Sequence, residues 1–154
     1  MLKLNKKGFT LVEVLAVVVI LGIIMLIAIP NVSSLINKNK IDSCKKLKEN
    51  IISATKTYFS DYRYKISVDT DNCSNAETAD IISINGFNLI NSKFPINKLI
   101  ENGYLKGKSE IENPANGSKI DTKNTYVTVK YNCTRKDYDF SIDDNTYTDF
   151  KCQK

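Results

Sequence analysis

The sequence predicts an α+β chain, in which one long amino-terminal helix precedes a head whose last third is β-structure. Three patterns carry this prediction. An almost unbroken apolar run extends from Phe9 to Ile29. Apolar residues then recur at three- and four-residue steps as far as Tyr62, the spacing of one helix face. From Tyr126 onward they alternate instead, as in a half-buried strand.

The apolar run comes first. Among the 21 residues from Phe9 to Ile29, only Thr10 and Glu13 are polar. A helix of that length spans about 31 Å, roughly one hydrocarbon core. Gly22 is tolerated inside it. Pro30 lacks an amide hydrogen, so the helix is expected to kink there. Before the run stands a short polar leader carrying Lys3, Lys6 and Lys7.

Beyond Pro30 the stripe is Val32, Leu35, Ile36, Cys44, Leu47, Ile51, Thr55, Tyr58, Phe59 and Tyr62, with Lys38, Lys40, Lys45, Lys46, Lys48 and Lys56 between. That is an amphipathic helix with a solvated basic face. One helix from about Phe9 to about Tyr62 is therefore expected. Residues 69–80 are polar and irregular and read as a loop. Pro95 starts a short helix with Ile96, Leu99 and Ile100 on one face, and Gly103 fits its carboxy-terminal cap. Asn113-Pro114 and Asn116-Gly117 mark turns. Tyr126–Cys133 and the segment holding Tyr138, Phe140 and Ile142 read as strands joined through Thr134-Arg135-Lys136. Asp143-Asp144-Asn145 reads as the next turn and Thr146–Cys152 as a last short strand.

Composition narrows the chemistry. Histidine is absent, which removes His-based metal sites and a His general base. No nucleophile–base pair can include one, so no catalytic residue is assigned and no cofactor is expected. The net charge is +5, but three of those charges belong to the leader lysines. The lysines between positions 38 and 56 read as the polar face of the helix rather than as a nucleic-acid surface. Asp69, Asp71 and Asn72 lack the glycine and terminal glutamate of a calcium loop. Asp143, Asp144, Asn145 and Asp149 read as a solvated turn, and no metal site is assigned. The four cysteines, Cys44, Cys73, Cys133 and Cys152, contain no C-x-x-C pair. Their even count, all beyond the apolar run, suggests two disulfides in one of three connectivities.

Glu13 is the physically odd residue. A carboxylate inside an apolar span costs several kcal/mol unless it is paired or protonated, and the span holds no lysine or arginine. The residues before the run are equally distinctive. A secretory signal peptide ends in small residues after its apolar core, whereas here the small residue, Gly8, precedes the core. A cut there keeps the helix in the mature chain.

The segment Lys7-Gly8-Phe9-Thr10-Leu11-Val12-Glu13, with its basic leader and with Pro30 behind it, resembles the amino-terminal signature of type IV pilins and pseudopilins. The resemblance covers the leader and about 22 residues after it. It implies cleavage by a prepilin peptidase between Gly8 and Phe9, and N-methylation of Phe9. It also implies an assembly role in which Glu13 pairs with the Phe9 amine of an adjacent subunit. The implied fold is the type IV pilin fold, a helix kinked near Pro30 and packed on an antiparallel sheet. The partition is then a leader at 1–8, a transmembrane and filament-core half-helix at 9–30, an amphipathic half-helix at 31–62 and a head at 63–154. Many pilins close a variable loop with a disulfide near the carboxy terminus, a position that Cys133 and Cys152 match. Cys44 and Cys73 then form the second pair.

By the same resemblance, the partners are the chain itself and other pilins in a helical filament, with the membrane, prepilin peptidase, an assembly ATPase and a platform protein. The expected location is the cytoplasmic membrane, single-pass with the head outside, then an extracellular pilus. Lysines flank the run on both sides, and counting them alone points the head inward. The motif and the cysteines point it outward, and that orientation is adopted. Three functions share this front end: a major or minor pilin of a type IV pilus, a pseudopilin of a secretion or DNA-uptake machine, and a membrane-anchored adhesin that never polymerises.

Overall fold

A computed structural model describes residues 10–74, 76–106, 110–142 and 150–152. The layout is α+β, as the sequence predicts, and consistent with the pilin fold. Helix α1 runs from Leu11 to Asp61. Its helical assignment continues through Pro30, although the proline has no amide hydrogen to give the preceding turn. The chain divides into two units, residues 1–39 and residues 40–154.

In the first unit, the apolar side chains of α1 between Leu11 and Leu26 are all exposed, from 49% at Leu21 to 83% at Leu11. Val32, Leu35 and Ile36 are exposed as well. Among the described residues no helix is long and apolar enough to cross a membrane.

The second unit has a packed core. Its sheet contains β1 (Ile66–Val68), β2 (Thr78–Ile84), β3 (Phe87–Asn88), β4 (Lys93–Pro95), β7 (Tyr126–Asn132) and β8 (Asp137–Ser141). The hydrogen-bonded order is β1-β2-β7-β4, with β3 paired to β2 and β8 paired to β7. All these pairings are antiparallel. A separate ribbon joins β5 (Glu110–Glu112) to β6 (Lys119–Asp121). The carboxy-terminal part of α1 supplies Ile51, Ala54, Tyr58 and Phe59 to one hydrophobic cluster with Ile81, Ile84, Phe94, Val127 and Val129. The rings of Phe59 and Phe94 meet edge-on at 5.5 Å, and Tyr58 approaches Phe94 at 5.0 Å, the offset geometry that aromatic quadrupoles favour. Thr55 is buried on the same stripe and donates its hydroxyl hydrogen to Ile51 O at 2.8 Å, so its polar atom is satisfied.

Helix α2 (Ile96–Glu101) begins after Pro95, as the sequence predicts. Gly103 sits at φ +77° just past its end. Gly103 N–H donates to Ile100 O and Tyr104 N–H to Leu99 O, the paired bonds of a Schellman cap. Tyr104 then donates its phenol hydrogen to Asp61 Oδ2 at 2.7 Å, which joins the end of α1 to the segment after α2. That bond, reinforced by desolvation, pushes the Tyr104 phenol above its ordinary range.

The β7–β8 hairpin follows the predicted alternation, with Val127 and Val129 fully buried. Strand β7 ends at Asn132, one residue short of Cys133. Two local expectations are corrected. Residues 69–80 are not one loop: a 3-10 turn occupies Thr70–Ser74, and β2 starts at Thr78. Despite its polar sequence this stretch is drawn into the sheet, with Thr78, Ala79 and Asp80 opposite Asn132, Tyr131 and Lys130. The expected last strand lies partly outside the described residues, and its described end, Phe150–Cys152, is not strand. Side chains hold that end: Phe150 is fully buried, and the buried Asn113 donates Nδ2–H to Lys151 O at 3.0 Å.

The disulfide pairing also differs from the expectation. Cys44 is bonded to Cys152 and Cys73 to Cys133, not Cys133 to Cys152 and Cys44 to Cys73. The reason is the sheet. Cys133 N–H donates to Glu77 O beside the β2–β7 ladder, and the turn holding Cys73 leads into β2. The two Cα atoms stand 5.6 Å apart. Residues 150–152 instead lie against α1, where the buried Cys44 faces Cys152 with Cα atoms 5.5 Å apart.

Candidate functional site

The amino-terminal end of α1 is the site to which the sequence points. Gly8 and Phe9, the residues read as the cleavage and methylation positions, lie outside the described residues. The described part begins at Thr10, immediately before the first helical residue, Leu11. Thr10 N–H and Thr10 Oγ1–H both donate to Glu13 Oε2 at 2.9 Å. Glu13 N–H donates in return to Thr10 Oγ1 at 3.3 Å. These reciprocal bonds form a capping box, which satisfies amides that a helix start leaves without intrahelical partners.

The geometry gives Glu13 a role within its own chain. Its carboxylate sits in the first turn, where the helix dipole favours negative charge. Around it the surface is apolar: Leu11, Val12, Val14, Leu15, Val17 and Val18 are all exposed. Glu13 is the single acidic or basic residue of α1 before Lys38. The sequence signal for this cap is Thr10-Leu11-Val12-Glu13, a Thr followed three residues later by Glu ahead of an apolar run. The isolated carboxylate by itself does not point to Thr10; the three-residue spacing does.

Residues 3–29 match the family model of the prokaryotic N-terminal methylation motif. This is a class III prepilin signal. No curated protein and no solved structure gives a significant match to the chain. The prepilin signal supports a pilin-like or pseudopilin protein, and the family that carries it is structural rather than enzymatic. It also suggests a membrane-anchored or secreted pilin-like protein. The capping box lies inside the matched segment, so Thr10 and Glu13 are at once the helix start and part of the prepilin signal.

The other sequence candidates divide. Asp143, Asp144, Asn145 and Asp149 lie outside the described residues. Among the described residues no group of three or more His, Cys, Asp or Glu is placed to hold a metal ion. The lysine face of α1 is more than a solvated surface. Lys48 Nζ lies over the Phe150 ring at 5.1 Å from its centroid, and Lys56 Nζ over Phe140 at 5.8 Å. Their stems cover core aromatics while the ammonium groups contact the ring faces.

Proposed function

We propose that the chain is a structural subunit of a type IV pilus, cut after Gly8, methylated on Phe9 and polymerised through the amino-terminal half of α1. The observation that carries this reading is a prepilin signal continuing into a helix with apolar side chains exposed on every side. Soluble monomers rarely leave a contiguous apolar surface of that extent uncovered. Lipid covers it before assembly and neighbouring helices cover it after. Stacking is heterologous and open, so it produces a filament rather than a closed ring. The heads, residues 63–154, form the filament surface. Prepilin peptidase, an assembly ATPase and a platform protein are the required partners.

Glu13 then has two successive partners. In the isolated chain it caps its own helix through Thr10. In the filament, the amine released at Phe9 of an adjacent subunit offsets its charge. Glu13→Ala is expected to leave membrane insertion intact and to reduce incorporation into filaments at least tenfold, read by immunoblotting sheared filaments against membranes. Wild-type incorporation of this variant would overturn the pairing of Glu13 with Phe9, and absence of the wild-type chain from the sheared fraction would favour a non-polymerising anchor. Mass spectrometry of the mature chain is expected to report cleavage at Gly8, one methyl on Phe9 and both disulfides. Antibody labelling of the head on surface fibres distinguishes a pilus from the short fibre of a secretion or uptake machine.

A further inference from the structure

Beyond assembly, the second unit carries a built groove of about 510 Å³, within the size range of small-ligand sites. Three walls define it. One is β3 and the turn that follows, with Phe87, Ile90 and Asn91; the second is β4 and the start of α2, with Lys93 and Lys98; the third is the loop from Lys123 to Tyr126. No carboxylate is among its lining residues. Ile90 is 78% exposed at its rim.

Each wall is fixed by bonds of its own. The turn between Ile90 and Lys93 places two consecutive non-glycine residues, Asn91 and Ser92, at φ +52° and +58°. Asparagine tolerates left-handed backbone, but for a serine it is unfavourable and persists where the surroundings enforce it. Here the enforcement comes through Ser92, which is buried. Its Oγ accepts from Ile81 N–H at 2.9 Å and donates to Asp80 Oδ1 at 2.8 Å, while its carbonyl accepts from Val129 N–H at 2.9 Å. On the opposite side, Asp121 accepts from Lys123 N–H and from the Asn124 side chain. Thr122 O and Thr125 O accept from Asn97 N–H and Ile96 N–H, docking that loop on α2. Lys98 is bonded to Glu101 at 2.8 Å and lies over the Phe87 ring at 5.5 Å. Among the described residues Lys93 makes no ion pair.

We propose that this groove binds an acidic saccharide, a sugar bearing a carboxylate or sulfate. The chemistry selects it. Lysine ammonium groups on two walls fit an anion. The amides of Asn88 and Asn91 offer both donors and acceptors, and Asn97, whose Nδ2–H donates to Glu101 Oε1 at 3.0 Å, adds its carbonyl, which suits hydroxyl groups. Tyr126 supplies an aromatic ring for the C–H side of a sugar, and Phe87, lying under Lys98, adds apolar wall beside it. A preformed groove also avoids the ordering cost that weakens binding by mobile loops.

The test is titration calorimetry with amide shift mapping on the full, disulfide-intact chain in detergent micelles. The probes are 3′-sialyllactose, a sulfated disaccharide, lactose, inorganic phosphate and a tetraglutamate peptide. One or both acidic sugars are expected to bind and to shift Phe87, Lys93 and Tyr126, with lactose roughly tenfold weaker or worse. The carboxylated and sulfated arms identify which acid is read. Lys93→Gln combined with Lys123→Gln is expected to weaken that binding by about tenfold or more, while processing at Gly8 and incorporation into filaments stay at wild-type level. Equal binding of lactose, unchanged affinity in the double variant, full competition by phosphate, or binding of the peptide in place of the sugars would each overturn the proposal.

Discussion

The two halves of α1 are both rich in apolar residues, yet they meet opposite fates. Between Leu11 and Leu26 the apolar side chains lie on every face and all are exposed. Between Cys44 and Phe59 they form a stripe, and Cys44, Ile51, Ala54, Thr55, Tyr58 and Phe59 are buried. An apolar stripe is a surface that one sheet can cover. An apolar cylinder is not, and it needs lipid or other chains all round. The comparison separates a helix segment whose partner is encoded in the same chain from one that no described residue covers.

The largest expected effect comes from the covalent end of the buried half. Cys44→Ser with Cys152→Ser removes a link across 108 residues, worth about 4–5 kcal/mol on the chain-entropy model. Denaturant unfolding of the head is expected to show that loss. A loss near zero would mean that Phe150 and Asn113 hold the carboxy-terminal segment without the bond. Next is a matched pair of substitutions. Ile51→Ala is expected to destabilise the head by about 2–5 kcal/mol, whereas Ile20→Ala is expected to change head unfolding by no more than about 0.5 kcal/mol. Similar losses at both positions would break the contrast between the halves. Thr10→Ala removes the capping box and is expected to reduce helicity in the first turns at a cost of about 1 kcal/mol, read by amide exchange in micelles.

The smallest effect is electrostatic. The Asn124 side chain and the Lys123 amide hold the Asp121 carboxyl below the usual carboxylate range, and Lys98 does the same for Glu101. The folded head thus binds fewer protons than the unfolded chain near about pH 4. This contribution is present above the unfolded carboxylate pKa and is lost as pH falls through the folded values. Asp121→Asn is expected to flatten the acid limb of a stability–pH profile slightly, and an unchanged limb would remove Asp121 from that account.

Legibility in the sequence followed the length of each pattern. Helix α1 was legible because its periodicity persists over many turns, and β7 and β8 because each alternates beside a short connection. Strands β1, β3 and β4 are two or three residues long, too short for a periodic signal. Between β2 and β3, Asn85-Gly86 adopts φ +49° and +76°, the left-handed pair of a tight hairpin turn. That dipeptide is the sequence signal for the β2–β3 turn. The disulfide partners were not legible, because proximity of Cys73 to Cys133 depends on the non-local register of β2 against β7. At the candidate site, Glu13 stood out as an isolated charge. Its bond to Thr10 follows from the three-residue spacing alone.

The Cys44–Cys152 bond has a mechanical consequence. It closes nearly the whole head into a ring that begins and ends on α1. An open stretch of 108 residues would pay out about 370 Å of slack if drawn straight. With the ring closed, a pull applied between Cys44 and Cys152 is borne by one sulfur–sulfur link before it reaches the strands.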